Sequence, residues 1–260
     1  MTKLKYTYYL NKLFLRFSKM DIPSEMQHQA MGYDRAATMF SPDGHLLQVE
    51  YAEKTVKLGS ASIGLVCKDG VVIVADRRIR DKLIAPESAN KIFEVDTHII
   101  ATAAGILADA RILIDQVQIL AQQNRITYGA PIEPISIIRH IADRKQMFTQ
   151  YGGARPFGVA IMLAGVNKGK SHLYSTDVTG NYFAYKANSI GENDEKIKEV
   201  LRREYHEDMN IEEGIKFCLK IFKDLLAKNF DLNRFDAAYV KLSDEKLVRL
   251  HGDDLKKYVK

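Results

Sequence analysis

Residues 165–171, with the sequence GVNKGKS, form the most suggestive short motif in the chain, because the segment ends like a phosphate-binding loop after an apolar run. Two features argue against nucleotide binding. Ala164 stands where the motif requires its first glycine, and the residues after Ser171 alternate like a strand, whereas a helix N-terminus would have to receive the phosphate. We therefore expect a solvated hairpin loop here.

Gly152 and Gly153 open a second segment of interest, which continues through Ala154 and Arg155 to Pro156. It lies between a helical pattern and a strand pattern. Glycine supplies dihedral angles that other residues avoid, and proline fixes the exit of the chain. These residue types fit both a structural turn and a functional loop, and the local sequence alone favours the turn.

Charged residues at strand ends are the remaining candidates. Lys91 begins an apolar run, where an isolated lysine commonly keeps its amine in water at the surface. Asp76, Arg77 and Arg78 follow another apolar run and resemble a solvated charge cluster. The seven histidines show no spacing typical of zinc ligands, so we expect neither a metal site nor a cofactor.

The composition is that of a globular protein, with 260 residues of which 46% are hydrophobic and 27% charged. Residues 1–25 hold five basic residues against two acids, Asp21 and Glu25, so residues 26–260 carry only +2 of the net charge of +5. Nucleic-acid binding needs a clustered basic face, which this body lacks, and no apolar run is long enough to cross a membrane. Cys67 and Cys218 fall in apolar patterns and indicate buried free thiols in a reducing cytoplasm.

The elements that must position these residues occur in groups. Period-two patterns predict four strands over 62–104, three over 158–187 and two over 237–250. Helical patterns predict a pair of helices over 110–150 and a second pair over 194–226. Such grouping favours an α+β fold with antiparallel sheets and segregated helices over an alternating parallel sheet.

A series of motifs strongly resembles those of proteasome α subunits and covers residues 26 to about 250. The motifs, in order, are YDR at 33–35, FSPDG at 40–44, QVEYA at 48–52, GILADAR at 105–111, TYG at 127–129, TQYGGARPFG at 149–158 and SIG at 189–191. The chain departs from the family in its long segment 1–25 and in AAG at 103–105, where relatives often have serine before the glycine.

The resemblance implies the fold of N-terminal-nucleophile hydrolases, a four-layer αββα sandwich of two antiparallel sheets between helix layers. Family members form seven-membered rings that cap rings of catalytic β subunits and gate a degradation chamber. The implied protein is a non-catalytic cytoplasmic subunit without a cofactor. Its implied partners are other α subunits, β subunits, a regulatory ATPase ring and unfolded proteins in transit.

The resemblance also implies three sites. A gate cluster that holds the chain ends over or away from the axial pore is expected at Tyr33, Asp34, Pro42 and Tyr51. The pore annulus is expected at Tyr151, Gly152, Gly153, Ala154 and Arg155, which reverses the local interpretation of that segment.

The third implied site is a pocket between adjacent α subunits that binds the C-terminal tail of a regulatory ATPase. Lys91 is expected to supply the cation for the tail's carboxylate. Gly59 and Gly105 are expected to line the pocket, where their missing side chains would leave room for the tail.

The alternative is a catalytically active peptidase of the same fold. Catalytic relatives cut after a glycine to expose their nucleophile, and Ser60 follows Gly59 at that position. Asp76 matches their acidic partner, and Lys91 matches their catalytic lysine with one residue of slack. The α-type segment before Gly59, which the resemblance places across the cleft, favours the non-catalytic subunit.

Four segments are expected. Residues 1–31 would be an extension that is disordered or reflects a mis-assigned start, with Met1, Met20, Met26 and Met31 as candidate starts, and Met26 resembles the beginning of the short leader in relatives. Three segments follow: the gate segment with its helix at 32–58, the αββα domain at 59–252 and a C-terminal tail at 253–260.

Overall fold

The computed structural model describes residues 30–78 and 88–259, together with positions 23, 26, 28, 81 and 83–85. The expectations for residues 1–25 lie outside the described residues apart from Pro23.

The described residues form five α-helices and ten strands, which follow the predicted grouping. The helices are α1 Leu47–Leu58, α2 Leu107–Tyr128, α3 Pro134–Gln150, α4 Asp194–Glu204 and α5 Ile211–Leu226. The strands are β1 Ser62–Cys67, β2 Gly70–Asp76, β3 Ile92–Asp96, β4 Ile99–Gly105, β5 Val159–Asn167, β6 Lys170–Thr176, β7 Tyr182–Ala184, β8 Ala187–Ile190, β9 Phe235–Lys241 and β10 Leu247–His251.

Local signals account for many of these boundaries. Asn210 and Glu213 form a reciprocal capping box at the start of α5, with both bonds 2.9 Å long. Gly129 ends α2 in the left-handed conformation, and Pro134 begins α3.

The phosphate-loop motif is a β-hairpin turn, as expected. Lys168 and Gly169 both have positive φ and join β5 to β6, the geometry of a tight hairpin turn. Strand β6 follows where nucleotide binding would require a helix, and Lys168 Nζ pairs with Glu133 at 2.7 Å.

Two antiparallel sheets form the centre of the molecule, with strand orders β10-β9-β2-β1-β8 and β3-β4-β5-β6-β7. Because side chains alternate along a strand, each sheet has two apolar faces. Leu65 of β1 packs into a core with α4 and α5, whereas Ile161 of β5 packs into one with α2 and α3. Ile73 and Met162 meet in the core between the sheets. The four-layer αββα arrangement is therefore confirmed.

The single strand predicted over 182–187 is wrong, because the chain changes sheets there. Strand β7 pairs with β6, and β8 pairs with β1. Between them, the Tyr185 N–H donates to Leu173 O of one sheet and Lys186 O accepts from Val66 N of the other. The dipeptide thus bridges the two layers, which alternation in the sequence could not reveal.

The segment expected to be a C-terminal tail packs on the domain through its described residues, 253–259. Residues Gly252–Tyr258 form a 3-10 helix. Leu255 is fully buried and Tyr258 nearly so, both in the core beside α5. Among the described helices, none combines the length and apolar character needed to span a bilayer.

Candidate functional sites

Helix α1 packs against strands β4 and β5. Its inner face buries Leu47, Val49 and Ala52. The chain continues from α1 through Gly59 and Ser60 into β1, so the Ser60 nitrogen belongs to a peptide bond. Glu192 N donates to Gly59 O at 2.7 Å, which holds this connection against the start of α4.

Lys91 lies beneath this connection and is only 3% exposed, unlike the surface lysine that the local pattern suggested. Its Nζ donates to Ser60 Oγ at 2.5 Å and also to the Ser60 carbonyl. Burial lowers the pKa of Lys91 to about 7, although the nearby Asp76 carboxylate opposes this shift and Arg78 adds to it. The amine is thus held inside the chain by Ser60.

Asp76 is buried close by, but its carboxylate is committed to arginine. Arg234 donates to both of its oxygens, at 2.6 Å to Oδ2 and 3.2 Å to Oδ1, and the Arg78 N–H donates at 3.1 Å. The structure therefore brings Ser60 and Lys91 into the contact that a nucleophile and base require. Asp76 acts on Lys91 through its charge, which opposes the lowering of the lysine pKa.

Three glycines make a close backbone contact that we call the glycine junction, consisting of Gly59, Gly105 and Gly158. A Cβ on Gly59 would lie 2.3 Å from Gly105 N, and a Cβ on Gly105 would lie 2.2 Å from Gly158 O. Gly105 also has φ of 116°, which side chains rarely allow. The positions that side chains would take at Gly59 and Gly105 are therefore occupied by backbone of the same chain.

The predicted gate residue Pro42 occupies a reverse turn, as its fixed φ suggests. The Gly44 N–H donates to Ser41 O at 2.9 Å, with Gly44 at φ 81°. The Ser41 side chain accepts from His45 N at 3.1 Å and closes the turn. Pro42 itself is exposed on its outer side.

The predicted gate residues Tyr33 and Asp34 lie in a short 3-10 turn, Tyr33–Arg35. Gln48 Nε2 of α1 donates to Asp34 O at 2.6 Å and fixes this turn on the helix. The Asp34 Oδ1 atom is buried and has no hydrogen-bond partner in the described part of the chain. Tyr51 is half-buried on α1, with Lys54 Nζ 5.3 Å from its ring centre.

The predicted annulus is an exposed loop between α3 and β5. Tyr151 is 61% exposed, and apart from the adjacent residues no heavy atom of the described chain lies within 4 Å of a Cβ built on Gly152 or Gly153. The Ala154 N–H makes a long bond of 3.4 Å to Tyr151 O, and Gly153 has φ of 82°. The tip of the loop is therefore free of packing by the described part of its own chain.

Arg155 ends this loop in a paired carboxylate contact that the sequence did not suggest. Its two terminal nitrogens each lie 2.7 Å from an oxygen of Asp109, in the first turn of α2. The Gly158 N–H donates to Asp109 Oδ2 at 2.9 Å. Burial raises the pKa of Asp109, but these bonds and the arginine charge outweigh it, so the pKa is below its ordinary value.

Sequence reasoning missed two partners in these sites, Asp109 and Arg234. Asp109 and Arg155 both lie within motifs typical of the family, but 46 positions separate them. An acid in a first helical turn hinted only at a favourable dipole contact. The described residues contain no group of three or more histidine, cysteine, aspartate or glutamate side chains arranged to hold a metal.

Comparison with known proteins places these features in a family context. A family model for the proteasome subunit matches residues 56–240, and a second model, for the N-terminal signature of A-type proteasome subunits, matches residues 33–54. Three relatives are each named "Proteasome subunit alpha". The Pyrococcus horikoshii protein is 44% identical over 228 residues, covering 88% of this chain and 87% of its own length.

The other two relatives show similar identity and coverage. The Methanococcus maripaludis protein is 44% identical over 235 residues, covering 89% of each chain. The Methanosarcina acetivorans protein is 42% identical over 229 residues, covering 88% of this chain and 93% of its own length.

Proposed function

The chain belongs to the proteasome α-subunit family, and we propose that it is a non-catalytic gating subunit, seven copies or homologues of which form the outer ring of a proteasome core. Membership in the family implies assembly with other subunits. The non-catalytic role, the ring and the three sites below are our proposals.

The observation that carries this proposal is the folded helix α1, which ends one residue before Gly59 and packs on β4 and β5. An N-terminal nucleophile needs a free amine at its first residue, so a peptidase would have to lose this packed helix by cleavage after Gly59. The preceding helix begins within the α-type signature and is held by packing and by the Glu192 contact. A folded, anchored segment of this kind is not suited to removal, so Ser60 stays inactive despite its contact with Lys91.

The gate is proposed to consist of Tyr33, Asp34, Pro42 and Tyr51. Two observations support it. The turn that contains Pro42 is closed by its own hydrogen bonds and is exposed, so it can contact a neighbouring copy. The buried Asp34 oxygen, which has no partner among the described residues, calls for a donor, and a hydroxyl of an adjacent subunit would supply one.

The docking pocket is proposed around Lys91, with Gly59 and Gly105 at its floor. A tail carboxylate would replace Ser60 as the partner of the Lys91 amine, because the structure commits this amine to Ser60. The two glycines let the α1 end and the β4 end approach each other closely beside the amine.

The pore annulus is proposed at the loop from Tyr151 to Arg155. Its exposure and its lack of packing at Gly152 and Gly153 suit a segment that faces an opening in an assembled ring. The proposed partners are other α subunits, β subunits, a regulatory ATPase ring and unfolded protein chains passing the loop. A cytoplasmic location is proposed with them, in keeping with the buried free thiols Cys67 and Cys218.

The proposal is tested by deleting residues 1–44 and measuring peptide hydrolysis with and without proteasome β subunits. Hydrolysis should rise severalfold over the full-length chain only in the assembled particle, because the deletion opens a gate and creates no catalyst. Native mass of the chain with β subunits should show seven-membered outer rings. Deletion of residues 1–25 alone is the matched control, and its smaller effect would show that residues 26–44 contribute to the gate.

The intact mass of the assembled subunit distinguishes the gating subunit from the catalytically active alternative. A peptidase must lose everything through Gly59, whereas the gating subunit keeps it. Peptide hydrolysis by the deleted chain alone, or an unchanged rate in assembled particles, would contradict the gating function.

A further inference from the structure

The loop from Tyr151 to Arg155, here called the pore loop, has little to hold it in one shape. Its tip glycines have no described atom within 4 Å of a Cβ position other than those of adjacent residues, and its internal backbone hydrogen bond is 3.4 Å long. Loops with few contacts open locally at low free energy. A loop that defines the width of an opening must nevertheless keep one conformation, so its support has to come from its ends.

The base of the loop is held by apolar packing. Phe148 of α3 and Phe157 after the loop have ring centres 4.6 Å apart, and Phe157 is buried. This contact closes the loop at both ends and involves neither Arg155 nor Asp109. It therefore sets where the loop begins and ends, but not how the residues between them are arranged.

Asp109 provides the remaining restraint. It is 6% exposed, and each of its oxygens accepts a 2.7 Å bond from Arg155, while Oδ2 also accepts from Gly158 N. A bidentate guanidinium–carboxylate pair fixes direction as well as distance. The position in the first turn of α2 further favours the negative charge.

Gly158 connects Asp109 to the glycine junction. The Gly158 carbonyl accepts from Ile106 N and from Thr55 Oγ1 of α1, both at 2.9 Å. Asp109 thus joins the loop exit to the helix that carries the proposed gate through closely packed backbone contacts, which deform little.

We propose that Asp109 is the positioning residue of the pore loop, holding Arg155 and Gly158 on the first turn of α2 and thereby setting the width of the opening that the loop lines. This inference rests on the proposed function of the loop as the pore annulus.

The experiment compares Asp109→Asn with Asp115→Asn in the full-length chain. Asp115 lies on the same helix in an exposed pair with Arg111 at 3.7 Å, so it is a matched control for loss of one acid from α2. Asparagine keeps the shape of Asp109 but directs an amide group at Arg155. We expect chymotryptic cleavage after Tyr151 and amide exchange at Gly158 to accelerate about tenfold in Asp109→Asn only, corresponding to about 1.4 kcal/mol.

The second readout uses particles assembled with β subunits and lacking residues 1–44. We expect Asp109→Asn to raise the degradation rate of a disulfide-linked pair of unfolded chains severalfold relative to the single chain. Hydrolysis of a short peptide should stay within twofold of the parent particle. Arg155→Ala retains the Asp109–Gly158 hydrogen bond. It should raise the relative degradation rate of the linked pair in the same way, and it replaces Asp109→Asn in this test if that variant fails to assemble.

Unchanged cleavage after Tyr151 in both Asp109→Asn and Arg155→Ala would overturn the positioning role. Cleavage after Tyr151 could accelerate while the degradation rate of the linked pair relative to the single chain stays unchanged. That result would show that the loop does not set the width of the opening, and it would also overturn the inference. Neither result alters the outcome of the 1–44 deletion, so failure of this inference is distinguishable from failure of the gating function.

Discussion

Lys91 donates a hydrogen bond to Ser60 Oγ across 2.5 Å, although the two residues are 31 positions apart and precede strands of different sheets. The contact buries the amine at the end of the helix that carries the proposed gate. A ligand that takes this amine from Ser60 would therefore act directly on the connection between α1 and β1.

Replacement of Lys91 by alanine should abolish docking of a regulatory ATPase ring. A charge-assisted hydrogen bond contributes about 1.5–3 kcal/mol, or about 10- to 150-fold in affinity per tail. In the proposed seven-membered ring several tails would bind at once, so the loss would compound. Regulator binding to assembled particles is the measurement, with peptide hydrolysis by particles lacking residues 1–44 as the control for intact assembly. Binding at wild-type affinity would exclude Lys91 from the pocket.

Docking should also weaken as the pH rises. The pKa of Lys91 is lowered by burial to about 7, and only the protonated amine attracts a carboxylate. Between pH 7 and pH 8 the protonated fraction falls about fivefold, so tail-peptide affinity should fall by up to that factor. Lys91→Arg stays charged and should show a flat profile across this range. A pH dependence retained in the arginine variant would assign the titration to another group.

Ser60→Ala should leave peptide hydrolysis by assembled, gate-deleted particles unchanged. The packed helix α1 lies just before Ser60, and the Ser60 side chain serves as an acceptor for Lys91. The rate per particle is the measurement, with intact mass confirming that residues through Gly59 remain. Loss of activity in the alanine variant would instead favour the catalytic alternative.

Gly59→Ala should destabilise the chain by about 2–3 kcal/mol, because the new methyl group would meet Gly105 N at 2.3 Å. Gly152→Ala is the matched control, since no described atom lies within 4 Å of that position, and it should change the free energy of unfolding by less than about 0.5 kcal/mol. Urea unfolding measures both. Equal stability of the two variants would mean that the glycine junction can open to accommodate a methyl group.

Lys145 should make stability rise with pH. It is fully buried, and its Nζ donates to Val159 O at 2.9 Å and Asp177 O at 3.0 Å. Burial lowers its pKa from 10.5 to about 7, against the opposing charge of Asp177. Between these pH values the unfolded chain binds more protons than the folded one, so the destabilising effect of Lys145 is complete below pH 7 and is lost as the pH rises.

The free energy of unfolding of the parent chain, relative to Lys145→Met, should therefore increase by about 2 kcal/mol from pH 7 to pH 9. Lys196→Met, which removes an exposed lysine of α4, should give a curve parallel to that of the parent. Parallel curves for both variants would show that Lys145 keeps its ordinary proton affinity.

Local features of the sequence determined the elements and the fold class. These features act over a few residues, so they can be recognised in the sequence before the fold is known. They are the capping pair Asn210 and Glu213, the turn at Lys168 and Gly169, and the alternation within strands. The grouped order of strands and helices was enough to favour antiparallel sheets. The ordered motifs were enough to identify the family, which the comparisons confirm.

Tertiary structure alone decided how the site residues meet. Lys91 is buried against Ser60 and Arg155 is fixed by Asp109, yet nothing near either residue in the sequence specifies its partner. The glycine junction likewise consists of backbone atoms from separate segments, so no side-chain pattern marks it. These contacts depend on the close packing of α1, β4 and β5, which is a property of the assembled layers and not of any one segment.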